Sequence, residues 1–381
     1  VFVLLALYSE FDMAVLRPHQ WAGDFGAYWR ALAAAQSGAS AYFPFIVGES
    51  FFYHPFALSL FSALAWLGQE GAALAWAAIN VAAYAGLVGV LLRLAEPQAR
   101  DPLRRRFVLV LLLSFAPAWF TIHMGQVNLV IGLGLALSLY WAERERPAWA
   151  GLALALAVAL KITPLLFAAY FLLICRYRVV LWTAAFLLAM SALAALQFGL
   201  PVLADFAAVL PRVSGGFNDS AYNHSLPTVL ARLLAWVGIG GAQDVLVLAH
   251  RLLGLGLAAL VLVWSALGAR QEAAGRWRYA ALVVVMTIAS PLVWFHHNTF
   301  LLVPLIFLLR AQSERLRWAG VGIMLLVQSE KLFEVLTTAL TGGPFLSGVP
   351  VLIAQGALLV ICLRMAWQAQ KTGRPSAAPR I

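Results

Sequence analysis

Long apolar blocks alternate along this chain with short polar turns that carry arginine. Uncharged blocks such as Leu74 to Leu92 and Val179 to Leu196 approach the ~20 residues a helix needs to cross a bilayer. If Val1 to Tyr8 ends an outward span, Ser9 to Tyr53 forms a large first external loop and Ala72 to Leu92 returns to the other side. Pro55 to Leu67, only ~20 Å long as a helix, is then too short to cross and is expected to be re-entrant or interfacial. Phe107 to Phe120 goes out, Val127 to Trp141 returns, Trp149 to Leu160 goes out and Pro164 to Ile174 returns. Val179 to Leu196 crosses outward, Pro201 to Gln243 is expected as an external segment, and Val245 to Leu267 comes back. Tyr279 to Trp294, Asn298 to Leu309, Trp318 to Val327 and Val351 to Trp367 complete about twelve helical spans.

Two of these hairpins have short arms. Their tips, His123 to Asn128 and Lys161 to Pro164, are expected to stop below the outer surface, and non-helical backbone at that depth must line a protein cavity.

Composition narrows the class. Of 381 residues, 63% are hydrophobic and 11% charged, too few charges to cover a water-exposed surface, so a soluble enzyme, a secreted module and a disordered chain are excluded. The fold expected is an all-α, polytopic membrane helix bundle: one integral domain over 1–370, its first span truncated at the start, and a disordered basic tail over 371–381. The formal charge of +10 reports orientation rather than a nucleic-acid partner. All but seven of the 26 basic residues sit in Arg93 to Arg106, Arg144/Arg146, Arg176/Arg178, Arg270 to Arg278, Arg310 to Arg317 and the tail, which should therefore be cytoplasmic. The loops lack the aromatic interleaving of a nucleic-acid surface. Cys175 and Cys362 are not expected to pair.

With that topology, all seven histidines and ten of the sixteen acids fall on the outer side, as a site at the outer leaflet requires. Asp24, in Gly23-Asp24-Phe25-Gly26-Ala27-Tyr28-Trp29-Arg30, reads either as a helix N-cap or as a general base, shielded by aromatics that would raise its pKa. Lys161 between two apolar helices either snorkels to the interface or meets an anion such as a phosphate. Gln126 and Asn128 either cap a helix around Gly125 or donate hydrogen bonds into a cavity. His296 and His297 diverge by ~100° on a helix, so one facing a phosphate and one held structurally fits better than a shared metal. Pro211 to Ser225, with Arg212, Asn223 and His224, reads as a mobile substrate loop or a plain surface loop. Arg251 reads as snorkelling or as a lipid-phosphate contact, and Gln328, Glu330 and Lys331 as pairing among themselves.

In order along the chain stand Asp24-Phe25-x-x-Tyr28, Tyr53-His54-Pro55-Phe56, Gly125-Gln126-Val127-Asn128, Gly151 to Lys161-Ile162-Thr163-Pro164, Asn223-His224-Ser225 and Ser290-Pro291-x-x-Trp294-x-His296-His297. This series, from about Asp24 to Leu309, resembles glycosyltransferase family 87, part of the GT-C superfamily of polyprenyl-phosphate-sugar enzymes. The resemblance implies a GT-C-like fold and an inverting transfer of a hexose, mannose foremost, from a polyprenyl-phosphate-linked donor to a lipid or glycan hydroxyl. It implies Asp24 as catalytic base, the His296-His297 pair near the lipid phosphate and, by charge, Lys161 beside them. Tyr28, His54, Gln126, Asn128, Arg212, Asn223 and His224 complete the expected substrate-binding set. Such a protein works at the outer face of a bacterial cytoplasmic membrane, with membrane lipids and lipid-linked donor as partners. The chemistry requires no cofactor and no metal ligand set is expected; the sequence leaves a helper divalent cation and the oligomeric state open. Two other classes compete. A flippase of a lipid-linked sugar would bind the same groups without reacting, and a structural assembly partner would be indifferent to neutralising Asp24.

Overall fold

The computed structural model describes residues 22–44, 50–95, 102–216, 222–241, 243–268, 272–341, 343 and 346–372. The expected first span, Val1 to Tyr8, and residues 373–381 of the tail lie outside the described residues; Lys371 and Thr372, expected as disordered, end the last helix.

Every described element is helical. Helix α1 (Gly23–Gln36) lies in the first loop, followed by a short α2 (Phe56–Ser62) and a 3-10 turn, Ala65–Leu67. Gly68, whose φ of +70° favours glycine, joins this turn to the long α3 (Gly68–Leu94). The segment expected to stop short of crossing therefore holds two short helical pieces, α2 and the 3-10 turn, with Trp66 82% exposed.

The block expected as one span, Phe107 to Phe120, is broken. Helix α4 (Pro102–Leu113) ends at an extended Phe115, and α5 (Ala116–Met124) starts with Pro117 in its first turn. The Ala116 amide freed there donates to Gln328 Oε1 at 3.1 Å, so the break is satisfied inside the protein.

Of the two short hairpins expected, the second forms from unbroken arms, α7 (Pro147–Leu160) and α8 (Leu165–Leu173), whereas the first pairs the broken α4–α5 arm with α6 (Asn128–Glu143). Small residues let them pack backbone to backbone. A Cβ on Gly134 would meet Ala153 O at 2.8 Å, and one on Gly151 would meet Trp182 Cβ at 2.5 Å, on α9 (Tyr177–Phe198).

The segment 201–243, expected to be external, holds two helices, α10 (Pro201–Gly216) and α11 (Leu226–Trp236). Apolar residues drive both: Val202 and Val209 pack into the core, and α11 buries Val229. Then come α12 (Gln243–Leu267), α13 (Glu272–Ile288), the 3-10 helix Phe295–Leu301, α14 (Leu302–Leu309), α15 (Glu314–Gln328), α16 (Glu330–Thr341) and α17 (Val349–Thr372).

Five stretches are long and apolar enough to cross a membrane: 65–94, 105–124, 177–198, 244–267 and 349–371. Several shorter apolar helices, among them α6, α7 and α11, accompany them.

Several arginine-bearing ends meet at one end of the bundle. Arg276 at the start of α13 forks onto Glu143 at the end of α6 (2.7 and 3.0 Å) and donates to the Leu94 carbonyl at the end of α3 (2.7 Å). Arg278 donates to the Gly268 carbonyl (2.5 Å) and to Gln370 (3.3 Å), bringing the ends of α12 and α17 to the same place.

Candidate functional site

At the opposite end, the turn Thr121–Asn128 joins two polar groups. Gly125 makes the turn possible: its φ is +69°, and an added Cβ would lie 2.8 Å from Phe25 Cβ. The turn is pinned on both sides, by the Ala22 amide donating to His123 O (2.8 Å) and by Trp76 Nε1 donating to Gly125 O (2.9 Å).

The first group surrounds Asp24. Its carboxylate does not cap α1, whose N-cap is Ala22 with no side-chain hydrogen bond; it accepts instead from Gln126 Nε2 at 2.8 Å. The orientation of that amide is fixed by its far end. The Val127 backbone N–H, which can only donate, lies 3.3 Å from Gln126 Oε1, so the nitrogen faces Asp24. The hydroxyls of Tyr28 and Tyr53, 2.9 Å apart, also reach Gln126 Oε1, at 3.0 and 3.2 Å. Behind them Phe25, Phe51, Phe61 and Trp76 form a buried aromatic layer. Burial beside this layer raises the Asp24 carboxyl to about 6, against the smaller opposing pull of the Gln126 hydrogen bond. Gln126, expected to bind substrate, thus holds the Asp24 carboxylate, and Tyr28, expected in the same role, holds Gln126. Tyr53 belongs with them and was visible in the sequence only as the aromatic before His54-Pro55.

The second group surrounds the histidine pair on the 3-10 helix. His297 Nδ1 accepts from the Trp294 amide (3.0 Å), which places the proton of the neutral ring on Nε2, and Nε2 faces Lys161 Nζ at 2.8 Å. Nε2–H and a lysine ammonium cannot donate to each other, and an anionic oxygen beside both nitrogens, near Thr163, Thr287 and Ser290, would accept from each. Lys161 ends α7 in extended backbone and points inward, not outward to the interface. His296 stacks on Phe120 with centroids 5.9 Å apart, stands edge-on to His297 at 4.7 Å, is 4% exposed, and neither ring nitrogen has a hydrogen-bond partner among the described residues. Asn128 and Thr121 both approach the His296 carbonyl, each at 3.4 Å, and Thr121 also meets Thr299 at 3.1 Å. Asn128, 1% exposed, therefore supports the pair from behind instead of lining a cavity.

Asn223 and His224 are buried, at 0% and 2% exposure, so this part of the expected mobile loop is a packed strut. Residues 217–221 of that loop lie outside the described residues. Asn223 Oδ1 accepts from the Val293 and Ser225 amides (both 3.0 Å) and its Nδ2 donates to Pro291 O (3.0 Å), while the His224 amide donates to Val293 O (2.6 Å). These bonds brace the segment leading into His296. The His224 ring meets Ser347 Oγ at 3.1 Å and Glu330 at 3.5 Å; burial holds it well below the usual histidine range.

Two expected residues stand apart. His54 Nδ1 accepts from the Phe56 amide (3.2 Å) and Nε2 meets Ser191 (3.1 Å), so both nitrogens are used; burial lowers its pKa to about 4 and keeps it neutral. Arg212 is exposed on α10, over the Phe43 ring at 5.1 Å. Arg251 is exposed on α12.

The polar residues 328–331 do not pair among themselves. Gln328 serves the α5 break, Glu330 accepts from Ser347 Oγ (2.9 Å) and the Gly348 amide (2.7 Å), and Lys331 pairs with Glu334 (3.0 Å). Lys331 Nζ also lies 5.3 Å from the Phe120 ring that carries His296, a neighbour the spacing did not reveal. Among the described residues, no three His, Cys, Asp or Glu side chains gather as metal ligands.

No curated protein and no solved structure matches the chain. The family model of glycosyltransferase family 87 matches residues 51–291, which include Tyr53, Gln126, Asn128, Lys161, Asn223 and His224; Asp24 precedes that stretch, and His296 and His297 follow it. With well over half of its length matched, this membrane-type helical chain belongs to glycosyltransferase family 87.

Proposed function

We propose that the protein transfers a hexose, mannose foremost, from a polyprenyl-phosphate-linked donor to a hydroxyl of a lipid or glycan acceptor, with inversion at the anomeric carbon. The observation that carries this reading is the turn Thr121–Asn128, which holds a basic carboxylate on one side through Gln126 and an anion-ready histidine–lysine pair on the other through Asn128.

Asp24 takes the proton from the acceptor hydroxyl, whose oxygen attacks C1 as the bond from C1 to the phosphate oxygen breaks. The electron pair leaves with polyprenyl phosphate, and Asp24 returns its proton to water. A carboxyl with a pKa of about 6 is ionised at neutral pH yet more basic than an ordinary aspartate, which suits a general base. Lys161 and His297 Nε2–H converge where the departing phosphate would gain charge, and donors fixed in a water-poor site stabilise such charge with little reorganisation. His296 offers a second imidazole nitrogen to the same group. The active face is the outer one, opposite the arginine loops, in a bacterial cytoplasmic membrane, and the shorter helices join the five long ones in a bundle of about twelve GT-C-like spans.

The test uses purified protein in lipid with a panel of polyprenyl-phosphate sugars, mannose first, and candidate acceptors. Acceptor-dependent release of polyprenyl phosphate that disappears in Asp24→Asn is expected. Donor binding without release, unaltered by Asp24→Asn, would replace this reading with that of a lipid-linked-sugar flippase.

A further inference from the structure

Helix α16 is amphipathic in the inverted sense. Its exposed side carries Leu332 (41%), Val335 (44%), Leu336 (48%) and Leu340 (83%), spaced to share one face, while Glu330, Lys331, Glu334 and Thr337 are buried, all at 8% exposure or less. A helix bordering water shows the reverse. The buried polar groups find partners inside the protein: Glu330 with Ser347 and Gly348, Lys331 with Glu334, and Thr337 Oγ1 with the Phe333 carbonyl at 2.8 Å. Even Thr338, on the exposed side, turns its hydroxyl back to the Glu334 carbonyl (2.8 Å), so that no side-chain donor on that face is left without an acceptor.

We propose that α16 lies in the membrane, not in an aqueous loop, with Leu332, Val335, Leu336 and Leu340 against lipid acyl chains and its polar face closing the protein interior. Twelve residues make a helix ~18 Å long, too short to cross a ~30 Å core, so α16 occupies one leaflet. The next helix in the chain, α17, is long enough to span and exposes Ile353 (57%) and Val360 (65%). An acyl-chain environment needs no hydrogen bonds from the helix surface, and this face offers none; a protein partner would be expected to find some polar anchor at the rim. Lys331, Phe120 and His296 lie in series behind α16, so lipid comes within about one helix diameter, ~10 Å, of that chain of contacts.

The test is independent of any sugar donor. Nitroxide labels are placed at Leu336→Cys and Leu340→Cys in a Cys175→Ser background, with the buried Cys362 retained, and the protein is reconstituted in phospholipid nanodiscs. Ser37→Cys, in the exposed loop after α1, is the aqueous reference, and Leu255→Cys on α12, at 70% exposure, the lipid reference. Power saturation should show collision with oxygen as high as at position 255, and collision with nickel-EDDA about an order of magnitude below that at position 37, because the neutral but polar, hydrated chelate partitions poorly into the acyl region. Nickel-EDDA accessibility matching position 37 would overturn the proposal, and low accessibility to both reagents would overturn it in favour of contact with a second copy of the chain.

Discussion

Gln126 Nε2 donates to the Asp24 carboxylate at 2.8 Å while its oxygen is held by the Val127 amide and by the hydroxyls of Tyr28 and Tyr53, so the amide cannot rotate away from the base without breaking three contacts. The carboxylate proposed as the base is therefore positioned by a residue 102 places along the chain, on a turn that also supports His296.

The first consequence concerns pH. Asp24 works as a carboxylate and its pKa is raised to about 6 by burial, so kcat/KM should rise with pH, with unit slope on a logarithmic scale, up to about pH 6 and level off above it. At pH 5 the rate should be about a tenth of its plateau. A plateau reaching down to pH 4 would show that a group of ordinary acidity, or none, accepts the proton.

Gln126→Leu removes the hydrogen bond that opposes the rise in the Asp24 pKa, so the acid limb should move to higher pH and kcat at pH 7 should fall about 10- to 100-fold. Gln126→Glu should move it further, because a second carboxyl beside Asp24 disfavours its ionised form. Tyr53→Phe should act in the same direction as Gln126→Leu but more weakly. pH–rate profiles of the three variants decide it: a drop in rate with an unmoved limb would mean that Gln126 only packs.

Lys161→Met should lower kcat about 10²- to 10³-fold, the cost of losing one preorganised donor at a developing charge, and weaken binding of the phosphate-bearing donor. His297→Ala should cost a similar amount. Because the two groups converge on one point, the double variant should fall short of the product of the two losses. Steady-state kinetics of the three proteins, with donor binding measured separately, tests this; strict additivity would show that they serve different steps.

Gly151→Ala should destabilise the α7–α9 contact, where the new methyl would stand 2.5 Å from Trp182 Cβ and 2.8 Å from the Thr183 nitrogen. Overpacking of this kind costs about 1–3 kcal/mol. Gly256→Ala, on α12 with open space around it, should be neutral by comparison. Thermal unfolding of the two variants in detergent should show a lowered midpoint for the first alone.

The sequence by itself determined the solvent and the class. Transfer of an apolar block such as Val179 to Leu196 from water to lipid is a sum over neighbouring residues, so it is legible without knowing what the block packs against. The bundle end gathered by Arg276 and Arg278 was likewise foreshadowed by where basic residues interrupt those blocks. The candidate chemistry was legible in kind, since Asp24, Lys161 and the His296-His297 pair are costly in an apolar chain and need a purpose. Only the tertiary structure decided their partners. Asp24 reads equally as a helix cap until Gln126 is brought to it, and His54 reads as a substrate-binding residue until Phe56 and Ser191 consume both of its nitrogens. Asn223 reads as a loop residue until Pro291 and Val293 bury it. Helix α16 shows the same limit: its period of polar and apolar positions announces an amphipathic helix, but which side faces inward depends on what Ser347, Gly348 and Phe120 place opposite it. Local transfer energies set where the chain meets lipid, and the pairing of polar groups far apart in sequence waits for the packing that desolvates them together.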